Sequence, residues 1–342
     1  MPRPTIWSAA VFLLFAAAAW AQAPAPVTRG PRVSADGRAT PIQWQAKNVK
    51  VSETADALRL DVEPKVAGAA DSLPLALAPL HLYTLTMTCR RGPGLGLVVW
   101  VKWLDADQKP GARQMVWQLP DRFRPNWWPL SAHKNTYVQR FCLPPGATQV
   151  TLQIAMTGHP DAGHNEFELY DLTLARGAEV PFGSRLGPNL CPGGDMEVAT
   201  GGGMAVGWGF WGTPPDAKLL EQDAQGRRAH GGRRFLALPA GKNCILADGT
   251  IPIEPGRAYR VSLWARGTGD LALGAQSLEA REGQRVGDAQ QLSLHVEAQD
   301  WQPFSLVWFA EALYTAHANL FLSINPHTEL DLDDVAFQRI DP

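Results

Sequence analysis

Motifs for hydrolytic and metal-dependent chemistry are missing from this 342-residue chain. It contains no Gly-x-Ser-x-Gly nucleophile elbow and no His-Glu-x-x-His zinc helix. Cysteine is scarce: Cys89, Cys142, Cys191 and Cys244 lie about 50 residues apart, which is not the spacing of a zinc or iron–sulfur site. Charge of one sign is not in excess either. The 31 lysines and arginines face 33 aspartates and glutamates, both signs are interspersed, and the formal net charge is −2. That balance excludes the electrostatic footprint of a nucleic-acid, polyanion or anionic-membrane ligand. No segment sustains a helical period; AKLLEQDAQ (217–225) is the best short helix candidate. After the N-terminus, no stretch reaches the roughly 20 apolar residues of a membrane span.

What is present begins with MPRPTIWSAAVFLLFAAAAWAQAPAP. One arginine precedes an apolar run from Ile6 to about Trp20, followed by small residues suited to cleavage after Ala21 or Ala23. This reads as a secretory signal peptide over residues 1–23, with an uncleaved anchor as the alternative, and places the mature chain in the periplasm, at the cell surface or outside. In that oxidising setting the cysteines would form Cys89–Cys142 and Cys191–Cys244, one bridge per half; buried free thiols are the alternative. About 320 residues remain, enough for two domains, and hydrophobic residues at 45% supply material for two cores. Residues 24–40 read as a linker, and a second Gly- and Pro-containing break covers 178–188.

Between the breaks the chain alternates with period two and turns often: LYTLTMTCR (82–90), GLVVWVKWL (96–104), TQVTLQIAM (148–156), YRVSLWAR (259–266), NLFLSI (319–324). The fold class is therefore all-β. The halves also repeat each other. A shift of 176 residues superposes Leu60 on Leu236, Pro79 on Pro255, Tyr83 on Tyr259 and Arg90 on Arg266, and each half closes alike, in LYDLTL (169–174) and LDDVAF (332–337). A duplicated β-sandwich over 41–177 and 189–342 explains both facts.

The second half reads NLCPGGDMEVATGG, GWGFWG, AHGGRRFLAL, IPIEPGRAYRVSLWARG and LDLDDVAF in order. This series resembles carbohydrate-binding modules of families 4 and 9, within the galactose-binding-like jelly-roll domains; the first half keeps the Pro, Tyr and Leu-x-Asp-Leu elements only. The resemblance implies two tandem jelly-roll β-sandwiches and a carbohydrate or polysaccharide ligand. It also implies a structural calcium ion in the second half, held by Glu197 and Asp334, with Asp195 as a further candidate and carbonyls near Gly231. It makes the Gly-Trp at 207–208 a framework feature, with Trp208 packed into the sandwich.

The residues themselves leave alternatives open. In both closing strands the apolar parity switches at an aspartate, Asp171 and Asp334, which fits a bulge that re-aims the strand or an acid turned inward. A hydrogen-bonded acid or an arginine pair is the alternative to the calcium ion. In YRVSLWARG the core face would be Tyr259, Val261, Leu263 and Ala265, leaving Arg260, Ser262, Trp264 and Arg266 outward. A tryptophan among polar neighbours on an outer face is what a pyranose stacks on; packing under a loop is the alternative. The ligand-binding candidates are therefore Trp264, Arg266 and Trp211, with Trp127 and Trp128 in the first half. The expected function is non-catalytic carbohydrate binding by a secreted protein, with no nucleic-acid or membrane partner after signal cleavage. Association with a glycoside hydrolase and a purely structural or protein-binding role are the competing expectations.

Overall fold

The computed structural model describes residues 32–34, 39–92, 95–104, 110–119, 133–143, 147–158, 165–180, 185–201, 204–210, 217–240, 243–247, 251–279, 290–310 and 315–341. Every named element is a β-strand, paired antiparallel with its neighbours. Alternation explains the first half directly. In His81–Arg91, Tyr83, Leu85, Met87 and Cys89 are buried while Thr84, Thr86 and Thr88 face out. That strand sits in a five-stranded layer ordered Asn135–Cys142, His81–Arg91, Glu166–Glu179, Leu58–Asp61 and Lys50–Glu53. The opposing layer runs Pro110–Leu119, Gly96–Leu104, Gln149–Thr157, Ala67–Ser72 and Trp44–Lys47. Leu97, Val99, Val101, Leu152 and Ile154 of this second layer share one core cluster with the inward residues of the first.

The second half builds its two layers from three long strands, Ala258–Glu279, Gln290–Phe309 and Thr315–Ile340, each of which bends and serves both. The bend in Ala258–Glu279 falls at Gly267, where the ladder shifts register and φ is +110°; a β-carbon there would collide with the Glu329 carbonyl, so only glycine fits. Tyr259, Val261, Leu263, Leu332 and Phe337 line one side of the core, and Leu271, Leu273, Leu320, Leu322 and Ile324 the other. Burying each such side chain contributes roughly 1.5–3 kcal/mol.

The internal repeat extends to individual hydrogen bonds. Tyr83 Oη accepts the amide of Ala78 at 2.8 Å, and Tyr259 Oη accepts the amide of Glu254 at 2.7 Å, both pairs related by the same 176-residue shift. Arg90 Nε donates to Glu168 at 2.8 Å, as Arg266 Nε donates to Asp331 at 2.7 Å.

The two sandwiches are not beads on a string. Pro110–Leu119 pairs with Gln290–Phe309 in the register Arg113↔Ser293, Gln114↔Leu292 and Met115↔Gln291, so one sheet runs through both halves. Beside it, Cys142 and Val180 pack on Val307 and Ile340, and the Arg140 guanidinium lies 4.8 Å over the Phe309 ring. The stretch read as a second linker accordingly carries structure: Val180 is buried, and Leu186–Asn189 pairs with the C-terminal strand. In the N-terminal linker stretch, Arg32–Ser34 pairs with Ala39–Pro41.

Two further expectations are corrected. Across the ladder of His81–Arg91 with Asn135–Cys142, Cys89 stands opposite Asn135 and Cys142 opposite Leu82, at opposite ends. Seven residues at about 3.3 Å each separate them by about 23 Å, and a disulfide needs Cα atoms within about 7 Å. Cys89, Cys142 and Cys191 are buried free thiols, each pushed up to about 12 by burial; the Cys244 side chain lies outside the described residues. The helix candidate at 217–225 is a strand, Lys218–Leu220, followed by a turn in which the Asp223 carboxylate accepts the amides of Gln225 and Arg227. An aspartate that satisfies the backbone two and four residues on competes with helix formation.

Candidate functional site

The residues expected to face outward from YRVSLWARG lie beneath a roof. The loop from Asp223 to Arg234 folds over the outer face where Ala258–Glu279 meets the closing strand, and the Trp301 side chain completes the cover. Ala265 pairs with Gln302 and Gly267 with Ala298, so Gln299, Asp300 and Trp301 bulge out opposite Arg266. Arg266 is consequently 3% exposed. Its Nε donates to Asp331 at 2.7 Å, one NH group to the Arg228 carbonyl at 2.8 Å and the other to Asp223 at 3.4 Å. Its guanidinium is stacked 4.4 Å from the Trp301 ring and 4.8 Å from Phe235. The expectation of an outward, ligand-contacting Arg266 is thus corrected: sheet alternation is right about its face, and the loop turns that face into an interior. Burial pushes the Asp331 carboxyl up to about 6 against the pull of Arg266. Burial also acts on Asp223, but hydrogen bonds from Arg227 outweigh it and hold that carboxyl below its usual range.

The parity switch at Asp334 is a bulge. Trp264 pairs with Asp333 and Ser262 with Ala336, and Asp334 takes a left-handed φ of +47°. Asp171 marks the matching bulge in the first half and is exposed. The buried acid is the neighbour, Asp333, at 0% exposure; it accepts the amides of His230 at 2.8 Å, Gly231 at 3.1 Å and Asp334 at 2.8 Å. Burial pushes its carboxyl up to about 7, with those amides pulling the other way.

Above this bonded floor lies an aromatic group at the surface. The imidazole of His230 stacks on Trp264 with ring centroids 3.7 Å apart and planes 16° from parallel, and the Trp301 ring stands edge-on to it at 6.2 Å. His230 Nδ1 lies 2.6 Å from Asp334 Oδ2, and Trp301 Nε1 donates to the Arg228 carbonyl at 3.1 Å. Trp264 is half-buried, so both readings of it hold in part: it packs under a loop residue, and the pair it makes with His230 reaches the surface. His230 and Trp301 were not singled out from sequence. Trp301 sits in a bulge where alternation fails, and His230 belongs to a glycine-rich turn.

The expected calcium ligands Glu197 and Asp334 come from outside this loop and close on it. Glu197 Oε1 accepts the amides of Arg233 and Arg234 at 2.6 and 2.9 Å, and Asp334 presses on Gly231 from the other side. A β-carbon on Gly231 would meet the Asp334 carboxylate, and one on Gly232, whose φ is +60°, would collide with that of Glu197. The two glycines are what allow both acids to close on one turn. Asp195 is exposed, and its carboxylate caps the Glu197 amide at 3.4 Å. Among the described residues no three His, Cys, Asp or Glu side chains gather as a metal site. The Glu197 and Asp334 side chains are both hard oxygen donors of the kind calcium takes, and here Glu197 is bonded to two main-chain amides and Asp334 to the His230 imidazole.

The other candidates separate. Trp208 is buried, its Nε1 donating to the Gly193 carbonyl at 3.2 Å. Trp211, Trp127 and Trp128 lie outside the described residues. In the first half, Thr88 occupies the position of Trp264, and the equivalent arginine stays on an open face: Arg90 bonds Glu168 and Glu166, Tyr170 Oη donates to Glu168 at 2.5 Å, and Lys134 stands 4.2 Å over the Tyr170 ring.

Fold and site together define an all-β tandem sandwich with an aromatic surface group in its second half. No protein-family model matches the chain, and no curated protein matches it. Among solved structures it is similar to the N-terminal CBM22-1–CBM22-2 tandem domain of Xyn10C from Paenibacillus barcinonensis, at 14% identity and a TM-score of 0.33 over 87% of this chain and 93% of that one. It is also similar to TmCBM61 in complex with β-1,4-galactotriose (15% identity, TM-score 0.34, 44% of this chain, 99% of that). A third similar structure is a family 16 carbohydrate-binding module (17% identity, TM-score 0.31, 44% and 99%). Likeness at this level assigns no residue a role, so the functional reading rests on the side chains described above.

Proposed function

We propose that the chain is a secreted, non-catalytic carbohydrate-binding protein whose second sandwich takes the ligand at the Trp264–His230–Trp301 surface. The observation that carries this reading is the flat stack on Trp264. The outer face of Trp264 that the His230 imidazole covers at 3.7 Å is a flat platform, and a pyranose would stack on it by taking the place of that imidazole. Next to it, the Asp334 carboxylate and the His230 imidazole, 35% and 30% exposed, supply partners for sugar hydroxyls. Beneath them, the bonded Arg266–Asp331–Asp223 floor holds Trp301 and the loop in place.

Glu197 and Asp334 would hold a calcium ion whose role is structural, tying the opening strand to the closing strand across the Gly231–Gly232 turn. A fall in melting temperature on chelation, reversed by calcium, is the expected result, and an unchanged melting curve removes the ion from the reading. Export is tested by the mass of the protein recovered outside the cytoplasm, which should lack residues 1–23.

The binding test is a glycan array of the full chain beside Trp264→Ala and Trp301→Ala. Wild type should bind a defined set of glycans, with a loss of about tenfold or more in each variant, since stacking on an aromatic is worth about 0.5–1.5 kcal/mol beyond the area it buries. Absence of any glycan bound by wild type overturns the reading in favour of a structural or protein-binding role. Release of reducing sugar by the pure protein overturns its non-catalytic part.

A further inference from the structure

The sheet shared by the two halves carries a second constellation, on the face away from the core. Gln114 is fully buried, and its register partners Val101 and Leu292 belong to the core, so its neighbour Arg113 points outward. Arg113 stands between Lys102 of the first half and Ser293 of the second, its register partners on either side. Its guanidinium lies 4.3 Å over the Trp100 ring. Among the described residues it has no hydrogen-bond partner and no carboxylate at ion-pair distance. The other charges on this face are already spoken for: Lys102 bonds Asp71 at 2.8 Å, the Gln153 amide donates to the same carboxylate at 2.9 Å, and His295 lies 2.9 Å from Asp270.

A half-buried guanidinium with an open donor edge is costly. Burial holds Arg113 below its ordinary range, and the charge of Asp270 offsets this in part. Arg266, elsewhere in the fold, shows the alternative, with every side of its guanidinium engaged. Arg113 has only its flat face covered. Among the described residues its planar edge has no partner, and that edge matches a carboxylate bidentately. Ser293 and Gln291, whose amide donates to the Ser293 hydroxyl at 3.3 Å, put hydroxyl-binding groups directly beside it. The site exists only because a strand of the first half pairs with a strand of the second.

The geometry points to a junction subsite in which Arg113, stacked on Trp100, receives the carboxylate of a uronic acid residue while Ser293 and Gln291 bind its hydroxyls. One arginine reads one acid, in keeping with a chain whose net charge of −2 argues against a long polyanion. This deepens the carbohydrate-binding reading and rests on it for ligand class, but it uses residues that site does not.

The test is isothermal titration of the full chain with cellotriose, with the same trisaccharide ending in glucuronate, and with a version bearing a sulfate ester at that end. Wild type should bind the glucuronate-ended sugar at least tenfold more tightly than the neutral one. Arg113→Gln should close that gap, and Arg113→Lys should keep part of it. Ser293→Asp, which sets a carboxylate opposite Arg113, should close it with the arginine still in place, so the outcome does not hang on one variant's folding. Equal affinity for the neutral and acidic sugars, a gap unchanged in Arg113→Gln, preference for the sulfate ester, or no binding of any probe overturns the inference. Trp264→Ala separates the two sites. If it abolishes neutral binding while the acid preference is absent, only the junction subsite fails. If the acid preference persists without any effect of Trp264→Ala, the Trp264 site fails and the junction subsite stands.

Discussion

Replacing Arg266 with methionine keeps the length and stacking of the side chain and removes its charge, leaving two carboxylates, Asp331 at 1% and Asp223 at 0% exposure, without their shared partner. Breaking a buried ion pair by removing one partner costs about 3–5 kcal/mol, which for a half of this size lowers its melting temperature by roughly 6–20 °C. The internal repeat provides the control. Arg90 makes the same Nε bond to Glu168, but its side chain is 35% exposed, so Arg90→Met should cost no more than about 1 kcal/mol. The penalty at Arg266 should also depend on pH. Burial already raises the Asp331 carboxyl to about 6 from a value of 3.8, so the folded chain holds more protons than the unfolded one between those values, and stability falls as pH rises through that window. Without Arg266 the Asp331 carboxyl rises further, so the window widens upward and the variant should be least impaired near pH 5 and most impaired near pH 8. Urea unfolding of the two variants and wild type at both pH values reads all of this. Costs at Arg266 and Arg90 that agree within 1 kcal/mol, or a penalty that does not change with pH, would refute the assignment of that arginine to a closed interior.

Three further outcomes are expected. Tyr83→Phe and Tyr259→Phe each remove the acceptor for one amide in matching corners, so each should lower stability by about 1 kcal/mol in urea melts, and a large difference between them would argue against equivalence of the halves. Gly232→Ala forces a left-handed φ on alanine and drives its methyl into Glu197; a loss of about 1–3 kcal/mol by thermal melting is expected, together with weaker binding at Trp264 as the loop shifts. Cys89, Cys142 and Cys191 should be inert to a thiol reagent in the folded protein and titrate only on denaturation, and a reductant should leave the melting curve unchanged; stabilisation lost to reductant would mean that a disulfide forms after all.

The frame of this fold was legible because it depends on period-two alternation, which a sequence displays openly. Tyr259, Val261, Leu263 and Ala265 face the core as their spacing requires, and the 176-residue shift paired Tyr83 with Tyr259, to which the structure adds the matching amide each hydroxyl accepts. Of the surface group, Trp264 and Asp334 were legible, the latter as a calcium-ligand candidate. Alternation places Arg266, Asp331 and Asp333 on the outer face correctly but carries no information about what covers that face. The cover comes from a turn built on Asp223, in a stretch that scans as a weak helix, and from Trp301, in a bulge that breaks the alternation. The cysteine pairing failed for a related reason: equal spacing along the chain says nothing of register, and the ladder sets Cys89 and Cys142 at opposite ends.

The duplicated frame and the undivided function fit together through that cover. Both halves keep the arginine–carboxylate pair at the same register, so the pair belongs to the sandwich and not to a ligand. What differs is the roof. In the second half the Asp223–Arg234 loop and the Gln299–Trp301 bulge close over the pair, and their outer surface carries His230 and Trp301 beside Trp264. In the first half Thr88 replaces Trp264, and Arg90 remains on an open face with Glu166, Glu168 and Tyr170. Among the described residues the surface aromatic group therefore belongs to the second sandwich, and the first lends the shared sheet its Pro110–Leu119 strand. A first half expressed alone would retain its core but leave Pro110–Leu119 as an unpaired edge, with Arg113 removed from Ser293. Any ligand preference that depends on the junction would be lost by both halves when separated and regained only in the joined chain.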